Sequence, residues 1–310
     1  MAAYQAYRYF SGVDPLKTSP KAILGQMFTS EGVAELVNSI LTFKLPKNLA
    51  DFGQIGLSTS SPGGSKAVRQ GVPVLYKFAI VTDSHNDNDH LAKALKQAQE
   101  AGARFIIGLG DYTNVGTLDE LQKAKSQFVN SGLPYFITVG DHDLWDCRNR
   151  NLTPSCNFTT TFGPTYQSFS DSGVRFVLGD NSDNYLGIDG VQMKWLEDEL
   201  IRVKNDKPKQ AFLFVSTPLF HPSSDHVMGK DNPKLKDQAS HIISIAKDAG
   251  VGEVFAGDTH FFTRYVEPKS ELKMTTVGAV VQDRNAQAPR FAVITLYQDG
   301  GYDVEDVEIK

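Results

Sequence analysis

"PYFITVGDHDLWD", Pro134–Asp146, runs from an apolar segment directly into Asp141, His142, Asp143 and Asp146. The apolar part reads as a buried strand, and a strand that empties at once into three acids and a histidine needs a reason. One such loop can be plain solvated charge. The reading therefore turns on whether other apolar runs end the same way.

They do. "FAIVT" is followed by Asp83 and His85, and "IIGLG" by Asp111 with Asn114 nearby. "FLFV" is followed by Ser216 and Thr217, and "VFAG" by Asp258 and His260. Between these runs lie segments of helical periodicity near residues 90–101, 118–129, 191–203 and 236–249, the first with Asn88 or Asp89 as its cap. The tail becomes strand-like, as in "RFAVITLY". Alternating strands and helices with a strand-rich end predict an α/β core with mixed sheets. In such sheets ligands gather beyond the carboxyl ends of the strands, so the polar clusters are expected to share one crevice. Taken singly, a D-x-H is a cap and a G-D is a turn. Together, that many carboxylates would repel one another without cations between them, and Asp with His suits Mn, Fe or Zn.

The order of the motifs resembles the calcineurin-like metallophosphoesterases, whose pattern is D-x-H, G-D, G-N-H-D/E, a lone His, then G-H-x-H. Here the corresponding stretches are "DSH", "GD", "GDHD" and "GDTH", and the likeness extends from about Leu75 to Tyr297. The resemblance implies an α/β four-layer sandwich of two mixed β-sheets flanked by helices. It also implies a phosphoric ester hydrolase, acting on a small phosphorylated mono- or diester through a metal-bound hydroxide. Position by position, Asp83, His85, Asp111 and His260 would hold the first metal, with Asp111 bridging to the second. His142 would serve the phosphoryl group or its leaving oxygen, and Asp143 would orient His142.

The second site departs from that pattern. Asp141 stands where the family has Asn, Ser216 where it has the lone His, and Asp258 where it has the first His of G-H-x-H. His221 and His226 follow soon after and could substitute for the missing imidazoles, although histidines in a polar loop are expected to be solvated; Ser216 remains a possible second-site contact. Two divalent metals with two ligand carboxylates carry a surplus of two positive charges. With Asp141 and Asp258 ionised as well, that surplus vanishes, and a phosphate dianion is held less firmly. Oxygen donors in place of imidazoles favour Mg, Mn or Ca at the second site. The alternatives are a catalytically weak metal-binding or scaffold protein, and an enzyme with one metal in which Asp141 and Asp258 do acid–base work. Tyr112, Asn114 and Arg148 lie on neighbouring loops and are candidates for substrate contact.

The 310 residues, 41% hydrophobic and 22% charged, suit one large globular domain with an appendage. A net charge of −5 gives no basis for broad nucleic-acid binding. No stretch approaches the roughly 20 apolar residues of a membrane span, and the start lacks the plan of a secretion signal. Residues 1–74 read as an N-terminal arm and linker, with a helical stretch around Lys21–Phe43 and then a Ser-, Gly- and Pro-rich segment; residues 75–310 form the domain. The two cysteines, Cys147 and Cys156, can close a short loop, and a disulfide there favours an extracytoplasmic compartment. "NLT" at Asn151 and "NFT" at Asn157 fit the glycosylation sequon. Trp195 is expected to anchor its helix together with Val191, while His90 and His241 belong to the surface or to helix caps.

Overall fold

The computed structural model describes residues 71–310 apart from Ala286. The expected helix at 21–43 and most of the linker lie outside the described residues. The first sheet is built from β1 (Val74–Val81), β2 (Ala103–Gly108), β3 (Tyr135–Ile137), β10 (Arg290–Tyr297) and β11 (Tyr302–Glu308), in the order β11-β10-β1-β2-β3. The second contains β4 (Gln167–Asp171), β5 (Val174–Leu178), β6 (Gln210–Val215), β7 (Glu253–Ala256), β8 (Thr263–Val266) and β9 (Lys273–Thr276), in the order β4-β5-β6-β7-β9-β8. Each sheet mixes parallel and antiparallel pairs, as expected.

Side-chain alternation produces the layers. Phe78 and Ile80 on β1 meet Phe212 and Phe214 on β6 in an aromatic core between the sheets. The intervening Ala79 and Val81 turn outward against α1 (Asn88–Glu100) and α2 (Leu118–Asn130). Leu213 and Val215 likewise turn away from the centre, against α5 (Gly190–Asp206) and α6 (Pro233–Ala249). Because successive residues feed opposite faces, each central strand is buried on both sides and reads as a continuous apolar run. The predicted four-layer sandwich is the observed fold.

Local details amend the sequence reading. The cap of α1 is Asp87, whose carboxylate accepts the His90 amide at 3.1 Å; Asn88 and Asp89 already lie inside the helix. Thr117 and Glu120 close α2 with a capping box. Val191 is 74% exposed in the first turn of α5, so it is not Trp195's partner; that ring packs on the helix-side core and on Tyr166, 4.7 Å between centroids. His90 pairs with Asp87 at the helix cap, partly buried, and His241 pairs with Glu197 at the surface.

Cys147, on α3 (Trp145–Asn149), and Cys156, opening α4 (Cys156–Phe162), form a disulfide. Directly after this loop Asn157 uses its amide to donate to the Gly116 carbonyl (2.9 Å) and Asp146 (2.8 Å), whereas Asn151, inside the loop, is exposed. Of the two sequons, the second is therefore occupied in holding the loop. No helix among the described residues is long and apolar enough to cross a membrane.

Candidate metal centre

Parallel pairing of β1 with β2 and of β2 with β3 points these carboxyl ends one way in the first sheet, and parallel pairing of β6 with β7 does the same in the second. The residues that follow do not leave as ordinary turns. Asp83, His85, Asp111, Asp258 and His260 all have positive φ, from 41° to 66°. Left-handed backbone at non-glycine residues is unfavourable and persists where surrounding contacts impose it. Here the loops grip one another: the Asp83 amide donates to the Gly110 carbonyl at 3.1 Å and the His85 amide to the Asp111 carbonyl at 3.0 Å. The Asp258 amide donates to the Asp83 carboxylate at 3.0 Å, tying the two sheets' strand ends together.

The intervening glycines are required by the same closeness. A Cβ on Gly140 would lie 2.2 Å from both the amide nitrogen and Oδ1 of Asp111. Gly140→Ala must therefore push Asp111 aside, and overpacking of this kind costs about 1–3 kcal/mol. The expected outcome is a lower melting temperature together with weaker metal binding, read by thermal unfolding with and without Mn²⁺. Equal metal affinity in the variant would show that Asp111 is not needed where it stands.

The side chains form two adjoining sets. Asp83, His85 and His260 have ligand atoms within 4.8 Å of one another, as do those of Asp111, Asp141 and Asp258. In the first set the two Nε2 atoms of His85 and His260 face each other at 3.1 Å. His260 donates Nδ1–H to the Arg284 carbonyl at 3.0 Å, which leaves its Nε2 lone pair aimed at the set. This outer partner fixes the tautomer that metal-bound histidine requires. Burial holds His85 well below the usual imidazole range, with His142 and His260 adding to the effect, so it is neutral as a ligand must be. The donor set fits a cation.

The carboxyls carry the corresponding strain. Burial, then the neighbouring Asp141 and Asp83 charges, hold Asp111 well above the usual carboxylate range. Asp83 and Asp141 are raised by burial and by Asp258. For Asp258 burial works in the same direction, but the hydrogen bond and charge of His226 outweigh it and its carboxyl sits low. Asp111, expected as the bridge, falls with the second set while still feeling Asp83.

His142 stands beside both sets. Its amide donates to Asp111 Oδ1 at 2.9 Å, and its ring meets that of His85 edge-on, 4.6 Å between centroids. Trp145 stacks on its other face at 4.0 Å. The group that orients the ring is the Asn114 carbonyl, which accepts from Nδ1 at 2.8 Å. Asp143 does not orient it, contrary to expectation. That carboxyl is fully buried and accepts from the Thr113 amide and hydroxyl and from the Gly140 amide. Burial pushes it up to about 7 even though these donors oppose the rise.

Other expectations are corrected. Tyr112 is 1% exposed, and its hydroxyl donates to the Thr138 carbonyl and accepts the Gly110 amide, so it braces the core instead of meeting substrate. Asn114 acts through its backbone. Arg148 is on the rim, between Asp183 at 3.3 Å and the Tyr185 ring at 4.9 Å. The Ser216 amide donates to Asn181, and the next residue, Thr217, hydrogen-bonds Asp258. Three contacts lie beyond what the sequence suggests. Asn181 receives the amides of both Ser216 and Thr217, Asn184 donates to Asp141 at 3.0 Å, and His226 Nε2 reaches Asp258 Oδ1 at 3.0 Å. The one available signal for the asparagines is their place directly after the "RFVLG" strand; for His226 it is that it follows, with His221, soon after the position of the missing lone histidine.

Residues 76–262 match the family model of the calcineurin-like phosphoesterases. Among solved structures, the purple acid phosphatase PPD1 from yellow lupin (Lupinus luteus) seeds superposes with a TM-score of 0.58 at 13% identity, covering 75% of this chain and 51% of that one. The chain thus spans about half the length of the lupin protein. PhoD gives 0.51 at 11% identity, covering 76% and 69%. GAP50, described as the anchor in the inner membrane complex of Plasmodium, gives 0.50 at 15% identity, covering 77% and 90%. At these identities the likeness is one of fold.

Proposed function

Since the chain belongs to the calcineurin-like phosphoesterase family, we propose that it hydrolyses phosphoric esters of small molecules with two metals bound at the joined sets. Asp83, His85 and His260 hold the first, of the Mn, Fe or Zn class; Asp111, Asp141 and Asp258 hold the second, which as an oxygen set suits Mg, Mn or Ca. Bound at these residues, the metals would supply a nucleophile from water at neutral pH and offset charge on the phosphoryl oxygens. The observation that carries the reading is the placement of His142 against both sets.

The chain's own part is orientation and proton delivery. With Nδ1–H engaged by Asn114 and one face covered by Trp145, His142 has Nε2 left for the substrate. From there it passes a proton to the departing ester oxygen. Asp143 locks the Thr113 and Gly140 segments on which Asn114 and His142 ride. Arg148, fixed by Asp183 and Tyr185, is positioned to meet the organic part of the substrate at the rim. The additional carboxylates favour diesters, which bring less negative charge than monoesters. The disulfide supports an oxidising compartment.

A second reading, a scaffold or metal-binding protein with little turnover, is favoured by the three carboxylates that make up the second set without an imidazole among them. Metal content per chain, measured together with hydrolysis of nitrophenyl mono- and diesters, separates the two. Two metals with clear turnover are expected. Protein that binds Mn²⁺ and yet hydrolyses neither ester supports the scaffold.

A further inference from the structure

Three carboxylates are a poor complete shell for a transition metal. One side chain changes that. His226 comes from the segment between β6 and α6, ten residues beyond Ser216, the position where the family pattern puts its lone histidine. We propose that His226 supplies an imidazole ligand to the second metal, alongside Asp111, Asp141 and Asp258. The inference rests on the two-metal reading above and adds a donor to it.

Spacing is the first support. Two donor atoms each about 2.1 Å from one metal, at a right angle, are about 3.0 Å apart. His226 Nε2 and Asp258 Oδ1 stand 3.0 Å apart, close to the 3.1 Å between the two Nε2 atoms of the first set. In the metal-free geometry His226 meets Asp258 as a hydrogen-bond donor and stands just outside the three carboxylates whose ligand atoms lie within 4.8 Å of one another, so ligation takes an inward swing of the ring and loss of the Nε2 proton.

The second support is that the segment carrying His226 is built and anchored. At its start His221 is buried, and its Nδ1 accepts the amides of Ser223 (3.2 Å) and Ser224 (2.8 Å). At its end Met228 is buried and its amide donates to the Pro218 carbonyl at 2.8 Å. Between these points the Ser224 hydroxyl accepts the His226 amide at 3.1 Å. The His226 side chain is about half exposed, so its partner at Asp258 is not forced on it by burial. Asn184 on Asp141 and Thr217 on Asp258 supply the outer contacts that steer ligating carboxylates.

An imidazole among the oxygens would draw the second site from Mg²⁺ and Ca²⁺ towards Mn²⁺, Co²⁺ and Zn²⁺. The test uses Co²⁺ as probe, on the full chain and on His226→Ala, His226→Cys and, as a surface control, His241→Ala. Metal stoichiometry and affinity come from calorimetry, and coordination from the absorption spectrum. The parent and His241→Ala are expected to bind two Co²⁺ per chain. His226→Ala should keep the first and weaken the second by no less than the roughly 10–100-fold seen on losing an outer partner of a ligand. His226→Cys should restore the second site and add a thiolate-to-cobalt charge-transfer band. Two Co²⁺ at unchanged affinity in His226→Ala, or no such band in His226→Cys holding two Co²⁺, overturns the inference and leaves the two-metal reading intact. A parent protein that binds fewer than two Co²⁺ overturns that reading, and the inference with it.

Discussion

His142→Ala is expected to lower kcat by about 10²–10⁴-fold, the usual contribution of a positioned general acid or base, while metal content stays at the parent value. The substitution is clean because the two functions of this residue are separable. Its amide, which survives the change, donates to Asp111; only the ring, held by Asn114 and Trp145, is removed. The loss should depend on the leaving group. Nitrophenolate departs with little help, so activated esters should suffer least and alkyl esters most. A uniform loss across leaving groups would mean that the ring merely props the site, and unchanged turnover on alkyl esters would remove His142 from the reaction.

Metal should also decide how stability responds to pH. In the metal-free fold the raised carboxyls of Asp83, Asp111, Asp141 and Asp143 favour their protonated forms. A group raised on folding contributes stability below its unfolded pKa and loses it as pH climbs through the folded value. Asp258, His85 and His221, all held low, act in the opposite sense, but His226, raised to about 9 by its bond to Asp258, adds to the four carboxyls and loses its contribution over the same climb. Chelated protein should therefore melt at a lower temperature at pH 8 than at pH 5. Metal binds the ionised forms, so loading should reverse the trend and stabilise most at the higher pH. One site filled at a thousand times its Kd contributes about 4 kcal/mol, or roughly 8–16 °C for a domain of this size. Melting curves of chelated and Mn²⁺-loaded protein at both pH values check this, and a chelated protein that gains stability towards pH 8 would contradict it.

The fold is legible because its strands are buried on both faces and end in charge: "FAIVTDSH" states strand, stop and ligand within eight residues. The principal donors are legible for the same reason, since they follow their strands immediately. What escapes comes from loops that return from far along the chain. Asn184 reaches Asp141 across 43 residues, and His226 reaches Asp258 from a stretch whose polarity reads as solvent-facing. Tyr112 and Asp143 mislead for a complementary reason. Both sit one residue from a site residue, but left-handed backbone at Asp111 and the tight approach of Gly140 turn their side chains inward. Sequence position alone does not tell which way a strained loop points its side chains.

The bond from the Asp258 amide to Asp83 spans 175 residues of chain, one end following β1 and the other following β7. Closing so long a loop is entropically unfavourable and is repaid only once the segments between are in place, which makes it a late event in folding. Nascent or half-folded chains then present scattered carboxylates, not a chelate, and have little means of capturing the wrong ion. Metal acquisition becomes a checkpoint on completed folding: in a refolding reaction, tight cobalt uptake should lag behind the recovery of secondary structure.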